Sequence, residues 1–529
     1  MLFGLFLSYL YFRGIGDHGL LDPLEGVNAS VGLTMLTRGD FFHPQVGSLA
    51  YGGKAMGAWW LSALSLILFR WGEFAVRFWS ALAALGMALA AGRAASRPRG
   101  AWLAAAVSAS MTLSFVVSQL ASSHALYACC TAAAMAAFAR IQDTGIAGGR
   151  RRAVLAHASA LLAFIAHGPE GIILPWLAFV IYAAISDRLH LLRLALLDWA
   201  ALPVSAAGLL GYLLLLYVKN PTLLLLMRYQ SPEFLHPTGV MFLFFLLAGV
   251  IPWPGFLIQA ALRAAPRSVE SLQGGEGGRK LFFMVWAGTF ALFAVLMRDV
   301  LALAACVPAL AALIGESLDE WIGSSDMESV QRASALNIFI LVPFLAAGIP
   351  LAVHEFPLLG GALLSIVPWA VFIAVLILAN WYYARTRQML KLARNVSAVA
   401  LLCLMPLAGV FDLLAENRAV QAAGLALHNA RQSGDVMVQY AENYPSLYFY
   451  TAQDYGVVGG PWLPGIAGQS FMSDTELHRL WGQDERVFLL IRQNRQPAYP
   501  MPLEVNRLMD AHGFVVLSNR NVPLQPESR

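Results

Sequence analysis

Twelve apolar runs, near residues 74–92, 100–118, 124–140, 153–166, 169–185, 197–218, 239–262, 281–297, 299–315, 335–353, 360–383 and 393–413, follow one another with short polar loops between most of them. As helices, most are long enough to cross roughly 30 Å of hydrocarbon. With residues 1–12 as a shorter first run, the pattern predicts an α-helical polytopic membrane protein of about 13 transmembrane helices. A soluble globule is excluded on the same grounds: 58% of the residues are hydrophobic and 12% charged, too little polar surface for a 529-residue chain in water. Residues 1–12 carry neither the basic n-region nor the small-residue cleavage site of a signal peptide.

Lys and Arg near span ends are retained on the cytoplasmic side. Arg93, Arg97 and Arg99, then Arg140 and Arg150 to Arg152, Arg188 and Arg193, Arg263, Arg267, Arg279 and Lys280, and Arg385, Arg387, Lys391 and Arg394 fall in alternate loops. The remaining short loops carry Lys219, Arg228 and Arg298. This asymmetry predicts a cytoplasmic N-terminus and an external position for the 13–73 loop, the 219–238 loop and everything after about residue 414. Loop 316–334 fits poorly, because a predicted cytoplasmic loop there holds Glu316, Asp319, Glu320, Asp326 and Glu328. Acidic residues count little in the rule, so the assignment stands.

Residues 1–413 are therefore read as the transmembrane domain and 414–529 as a separate external domain. In the latter, Val436–Tyr440 and Arg486–Arg492 read as strands, Asp474–Trp481 and Pro502–His512 as helices, and Phe514–Leu517 as a closing strand, which predicts a small α/β fold. Cys129, Cys130, Cys306 and Cys403 all lie in predicted spans, which argues against a disulfide framework or a thiolate metal site. A formal charge of +4 gives no reason to invoke nucleic acid, and neither a phosphate-binding G-x-x-x-x-G-K-[ST] loop nor a dinucleotide fingerprint is present.

The polar residues that invite chemistry collect in the first loop. Asp22-Pro23-Leu24-Glu25 begins a helix whose face bears Leu24, Val27, Val31 and Met35 and which ends near Gly39, as an interfacial amphipathic helix would. Asp at an N-cap, Pro at the first helical position and Glu three residues after the cap also satisfy free backbone N–H groups without any catalysis. A second apolar run, Ala55–Phe69, lies between Lys54 and Arg70 and is too short to span, so it too reads as interfacial or re-entrant. Two such helices flanking carboxylates and a lysine suggest a site for a lipid head group.

Several ordered segments resemble the GT-C class of glycosyltransferases, in the branch of lipid A aminoarabinose transferases and protein O-mannosyltransferases. They are the acidic pair Asp22 and Glu25, Met35-Leu36-Thr37-Arg38-Gly39-Asp40, Tyr51-Gly52-Gly53-Lys54-Ala55, Phe74-Ala75-Val76-Arg77, Ala166-His167-Gly168-Pro169, Pro252-Trp253, Arg298 through Pro308, and Pro445 through Thr451. Departures mark a divergent member. Counting back from Met35 puts Leu24 and Glu25 at the acidic pair, His124 replaces an aspartate, His167 the lysine before Gly-Pro, Ala55 a proline, and Arg298 and Ala302 a later Lys and Tyr.

The resemblance implies transfer of a sugar from a polyprenyl phosphate to a lipid, glycan or protein acceptor at the periplasmic face of a bacterial inner membrane, with inversion. Such a reaction needs a base for the acceptor hydroxyl and fixed cations for the leaving phosphate. Glu25 or Asp22 is the expected base, Lys54, Arg298 and Arg228 the expected phosphate cations, and Asp40, Tyr51, His124 and His167 the expected cavity residues. A divalent metal held by His43, His124 and His167 with Asp22 and Glu25 is a further option, against which separated histidines more often serve as hydrogen-bonded structural groups. Two competing readings remain, a non-enzymatic transporter or lipid flippase, and an inactive relative that binds a lipid head group. Transporters often show related halves and charges deep in their spans, whereas here the polar residues gather on one side.

Overall fold

The computed structural model describes residues 2–53, 56–141, 146–222, 239–265, 275–355, 363–413, 415–432, 434–466, 469–495, 506–511 and 513–521. Among these described residues, six helices are long and apolar enough to cross a membrane: Glu73–Ala94, Ala201–Lys219, Gly277–Met297, Leu301–Gly323, Met327–Pro350 and Ile366–Arg385. Two bent pairs raise the number to eight if each counts as one span: Pro98–Ser110 with Thr112–Ser118, bent by 60°, and Phe242–Gly249 with Pro254–Ala264, bent by 102°. The sharper bend falls at Pro252-Trp253, where the missing proline N–H interrupts the helical ladder. Shorter apolar helices run over Met56–Phe69, Ser123–Ala139 and Glu170–Ile185.

Small residues set how closely the bundle packs. Leu301–Gly323 runs through its centre, with 94% of its apolar window buried. A Cβ on Gly315 would lie 2.5 Å from the Ala104 backbone nitrogen, and one on Gly92 would lie 2.8 Å from the Ala101 carbonyl oxygen. Gly and Ala at these crossings allow backbone-to-backbone approach, which drives helix association where lipid tails offer no hydrophobic contrast.

The acidic segment that fitted the orientation rule poorly has a packing explanation. Asp319 pairs with Arg99 and lies 3.9 Å from Arg97, Glu316 lies 3.9 Å from Arg279, Glu320 pairs with Lys280, and Asp326 lies 3.3 Å from Arg263. These acids answer the arginines and lysine of the basic loops directly.

In the first loop, the helix Leu24–Arg38 forms as expected and closes on Gly39, whose φ of 67° is the left-handed conformation that a helix C-terminus favours and glycine adopts without strain. It is buried at every position from Leu24 to Met35, however, and not along one stripe. The hairpin β1 (Gln45–Val46) and β2 (Leu49–Ala50) and the helix Met56–Phe69 follow.

The tail opens with the helix Ala415–Ala430 and contains a five-stranded sheet of β3 (Val436–Tyr440), β4 (Tyr455–Val458), β5 (Val487–Arg492), β6 (Asn506–Ala511) and β7 (Phe514–Ser518), in the order β4-β3-β5-β7-β6. β3 is parallel to β4 and β5, while β7 runs antiparallel to β5 and β6. Alternation decides the layers. Met437, Phe488, Leu490 and Val516 pack with Val420, Ala423 and Leu427 of Ala415–Ala430, and Val438, Leu489 and Ile491 pack with Leu477 and Trp481 of the helix Asp474–Trp481. The helix expected over 502–512 is instead strand β6 at 506–511, because pairing with β7 across Gly513 (φ 79°) outweighs local helix propensity. Residues 501–505 and 512 lie outside the described residues.

Candidate active site

Both carboxylates of the first loop are engaged. Glu25 accepts from Arg77 Nε at 2.8 Å and Nη2 at 2.7 Å, from Leu21 N at 2.9 Å and from Ala121 N at 2.5 Å. Arg77 Nη1 donates to the Ile15 and His18 carbonyls at 2.8 and 2.9 Å, and Nη2 donates to the Gly19 carbonyl at 3.0 Å. All five guanidinium donors are thus used, and both side chains are fully buried. Burial alone raises the pKa of Glu25; Arg77 overrides it and holds the carboxyl below its ordinary value.

Asp22 takes a different partner. The helix it precedes has no side-chain cap; the carboxylate instead accepts from Ser446 N at 2.9 Å and from the Ser446 hydroxyl, at the first turn of the tail helix Ser446–Thr451. The helix-start signature therefore caps a helix of the tail. Burial pushes the Asp22 carboxyl up to about 7, against the Ser446 hydrogen bonds that favour its charged form. Further contacts dock the tail here: Ser30 Oγ donates to the Pro445 carbonyl at 2.9 Å, Leu20 N to the Tyr450 hydroxyl at 3.0 Å, and Gly52 N to the Gly465 carbonyl at 2.7 Å. Tyr51, another expected cavity residue, is buried edge-on against Trp59 and bridges to Ile466. Between this loop and the tail lies a cavity of about 360 Å³ whose lining includes Ser48, Asn443, Asp454, Tyr455 and Gln469.

Three helix ends come together nearby. Ser123–Ala139 carries His124 in its first turn, Ile146–His167 ends with His167, and Asp299 sits in the turn after Gly275–Met297. Gly168, at φ 133°, turns the chain sharply and leaves His167 Nε2 3.5 Å from Glu170 Oε1. His124 Nε2 is 2.8 Å from Asp299 Oδ2, His167 Nδ1 is 2.7 Å from Ser123 Oγ, and the two imidazoles meet edge-on at 4.9 Å. Arg298 is exposed and held at φ 56°, an uncommon conformation for a side-chain-bearing residue that sets the turn placing Asp299.

Among the expected metal ligands, the structure brings His124 and His167 together with Asp299, whose donor atoms lie within 4.8 Å of one another. It leaves His43 paired with Asp40 at 2.7 Å, both exposed, where Asp40 also accepts from the Phe42 and His43 backbone N–H groups. Lys54 and Arg228 lie outside the described residues.

Comparison with solved structures places this geometry in a known architecture. The crystal structure of ArnT from Cupriavidus metallidurans in the apo state superposes with a TM-score of 0.77 at 19% identity, covering 98% of this chain and 97% of that one. The chain has the ArnT fold. The same protein bound to undecaprenyl phosphate matches at a TM-score of 0.76 with the same identity and coverage. No family model matches the sequence, and no curated protein matches it.

In the ArnT fold of this chain, the Phe-x-Val-Arg segment supplies the guanidinium that neutralises the first-loop acid, so two of the quoted motifs are halves of one ion pair. Arg77 was legible in the sequence as an arginine at the start of an apolar run, but nothing local identified its partner 52 residues away. Asp299, Ser123 and Ser446 were not among the expected site residues; Asp299, as an acid between two spans beside Arg298, was the one with a signal.

Proposed function

We propose that this chain is a membrane glycosyltransferase that moves a sugar from a polyprenyl phosphate to a lipid, glycan or protein hydroxyl. The observation that carries the reading is the agreement of the whole chain, tail included, with the fold of ArnT, one of whose structures holds undecaprenyl phosphate. Buried ionisable groups gathered under the tail support it. A developing phosphate charge and an acceptor proton both need fixed partners in a water-poor site.

In this reading Asp22 is the proton acceptor, poised near neutrality by burial, and Glu25 with Arg77 is the strut that holds the loop beneath it. Attack by the acceptor oxygen on the anomeric carbon breaks the C–O bond to phosphate with inversion, and Lys54, Arg228 and Arg298 offer cations for the leaving group. The cavity of about 360 Å³ between first loop and tail offers the acceptor a polar wall.

The test is transfer from radiolabelled polyprenyl-phosphate sugars to envelope extract by purified protein in detergent, comparing wild type with Asp22→Asn, Glu25→Gln and Lys54→Ala. Label appearing in product with wild type, and lost in Asp22→Asn and Lys54→Ala variants that elute as folded protein, is the expected result. Failure of wild type to transfer from any donor overturns it.

A further inference from the structure

We propose that His124, His167 and Asp299 form a zinc-binding site. Zinc takes imidazole nitrogen and carboxylate oxygen at roughly 2.0–2.2 Å, which separates two ligands on one ion by about 3–3.5 Å. His124 Nε2 and Asp299 Oδ2 already stand 2.8 Å apart, and the donor atoms of all three residues fall within 4.8 Å. Closing on an ion asks that the widest of these separations, up to 4.8 Å, shrink to about 3–3.5 Å.

The surroundings orient these groups as ligands require. Asp299 Oδ1 is occupied by the backbone N–H groups of Leu301 at 3.0 Å and Ala302 at 3.2 Å, which turns Oδ2 toward His124. His167 Nδ1 meets Ser123 Oγ at 2.7 Å and its ring stacks on Tyr127 at 4.6 Å, fixing the imidazole plane by an outer partner and a wall. His124 and His167 are 4% and 5% exposed, and His124 Nδ1 is a buried nitrogen with no hydrogen-bond partner.

Two imidazoles and one carboxylate leave a dication with a net positive charge and an open fourth position, the pattern of zinc sites that do chemistry. Glu170, 3.5 Å from His167, is near enough to answer the remaining charge. An oxygen of a bound phosphate would suit the fourth position, a role that rests on the transferase reading; the binding of zinc does not.

The full chain, purified in detergent from zinc-supplemented cells, is assayed for metal by mass spectrometry after gel filtration, then stripped with chelator and reloaded with Co²⁺ for its visible spectrum. Expected are close to one zinc per chain, a tetrahedral Co²⁺ band, and at least about tenfold weaker binding in His124→Ala, His167→Gln and Asp299→Asn. His43→Ala, at the exposed pair, keeps the metal. Because one variant alone can fail to fold, the reloading of wild type is decisive by itself: no zinc after purification and no Co²⁺ band overturns the proposal, as does full metal content in a folded His124→Ala/His167→Gln double variant. None of these outcomes depends on transfer activity.

Discussion

At the end of the bundle that carries the basic loops, Arg279 and Glu316 are 6% and 9% exposed, so the sharp contrast is between the outer pairs of those loops and the pair beneath the tail, which set acids against bases in opposite surroundings. At the first, Arg263 and Asp326 are 36% and 31% exposed and Arg332 and Glu328 are 59% and 65% exposed. At the second, Arg77 and Glu25 are both 0% exposed. Exposed pairs gain little because water screens them, whereas a buried charge that loses its partner keeps its desolvation cost in full. The contrast separates charges that can be exchanged from charges that hold an architecture in place.

The largest expected effect tests the buried end. Arg77→Met strands the Glu25 carboxylate without its guanidinium and is expected to destabilise by about 3–5 kcal/mol, read as lost folded yield or a lowered thermal midpoint in detergent. Adding Glu25→Leu removes the orphaned charge and should restore only part of that loss, because the Leu21 and Ala121 N–H groups and the Ile15, His18 and Gly19 carbonyls also lose their side-chain partners. If the single variant is as stable as wild type, the contrast between the ends fails.

Next is Asp22→Asn, expected to slow transfer by about 10²–10⁴-fold if its carboxylate is the base. The pH dependence has a definite sign. With its carboxyl raised from 3.8 to about 7, the folded protein holds a proton that the unfolded chain has released, so stability falls as pH rises between about 4 and 7. Transfer rises through the same region as the base form appears, with an ascending limb near pH 7. Both dependences should disappear in Asp22→Asn. Should only the stability slope disappear while the rate limb persists, Asp22 is a docking residue alone.

Ser446→Ala refines this by removing the hydroxyl partner of Asp22 while leaving the backbone N–H bond. A loss of about 1.5–3 kcal/mol is expected for a hydrogen bond to a charged group, and about 1 kcal/mol if Asp22 is mostly protonated. Comparing thermal midpoints at pH 6 and pH 8 tells these cases apart.

What the sequence made legible follows from which interactions are local. The helix Leu24–Arg38, its stop at Gly39 and strands Val436–Tyr440 and Val487–Arg492 were readable because period and turn chemistry lie within a few residues of each other. β6 was not, since its strand character comes from pairing with β7. The destination of the Asp22 carboxylate was equally hidden, because Ser446 stands 424 residues away. Likewise the acids of 316–334 looked misplaced until their basic partners in other loops were placed beside them. Residue types at the site could be picked from the chain; which of them meet could not, because that is decided by how helix ends are gathered.

The smallest expected effect tests the outer pairs of the basic loops. Arg263 and Asp326 approach to 3.3 Å in a half-exposed setting, so Arg263→Gln should cost less than about 1 kcal/mol. Asp326 also accepts from Ser329 N at 3.2 Å through Oδ1 and from Ser329 Oγ at 2.7 Å through Oδ2, so Asp326→Asn keeps the backbone cap of the following helix while replacing the second acceptor, with the charge, by an amide. A double-mutant cycle on thermal midpoints should therefore return a coupling of about 0.2–1 kcal/mol that shrinks further as salt is raised. A coupling that reaches several kcal/mol or ignores salt means these loops are closed against water, and that the basic end, like the buried one, is held together by its charges.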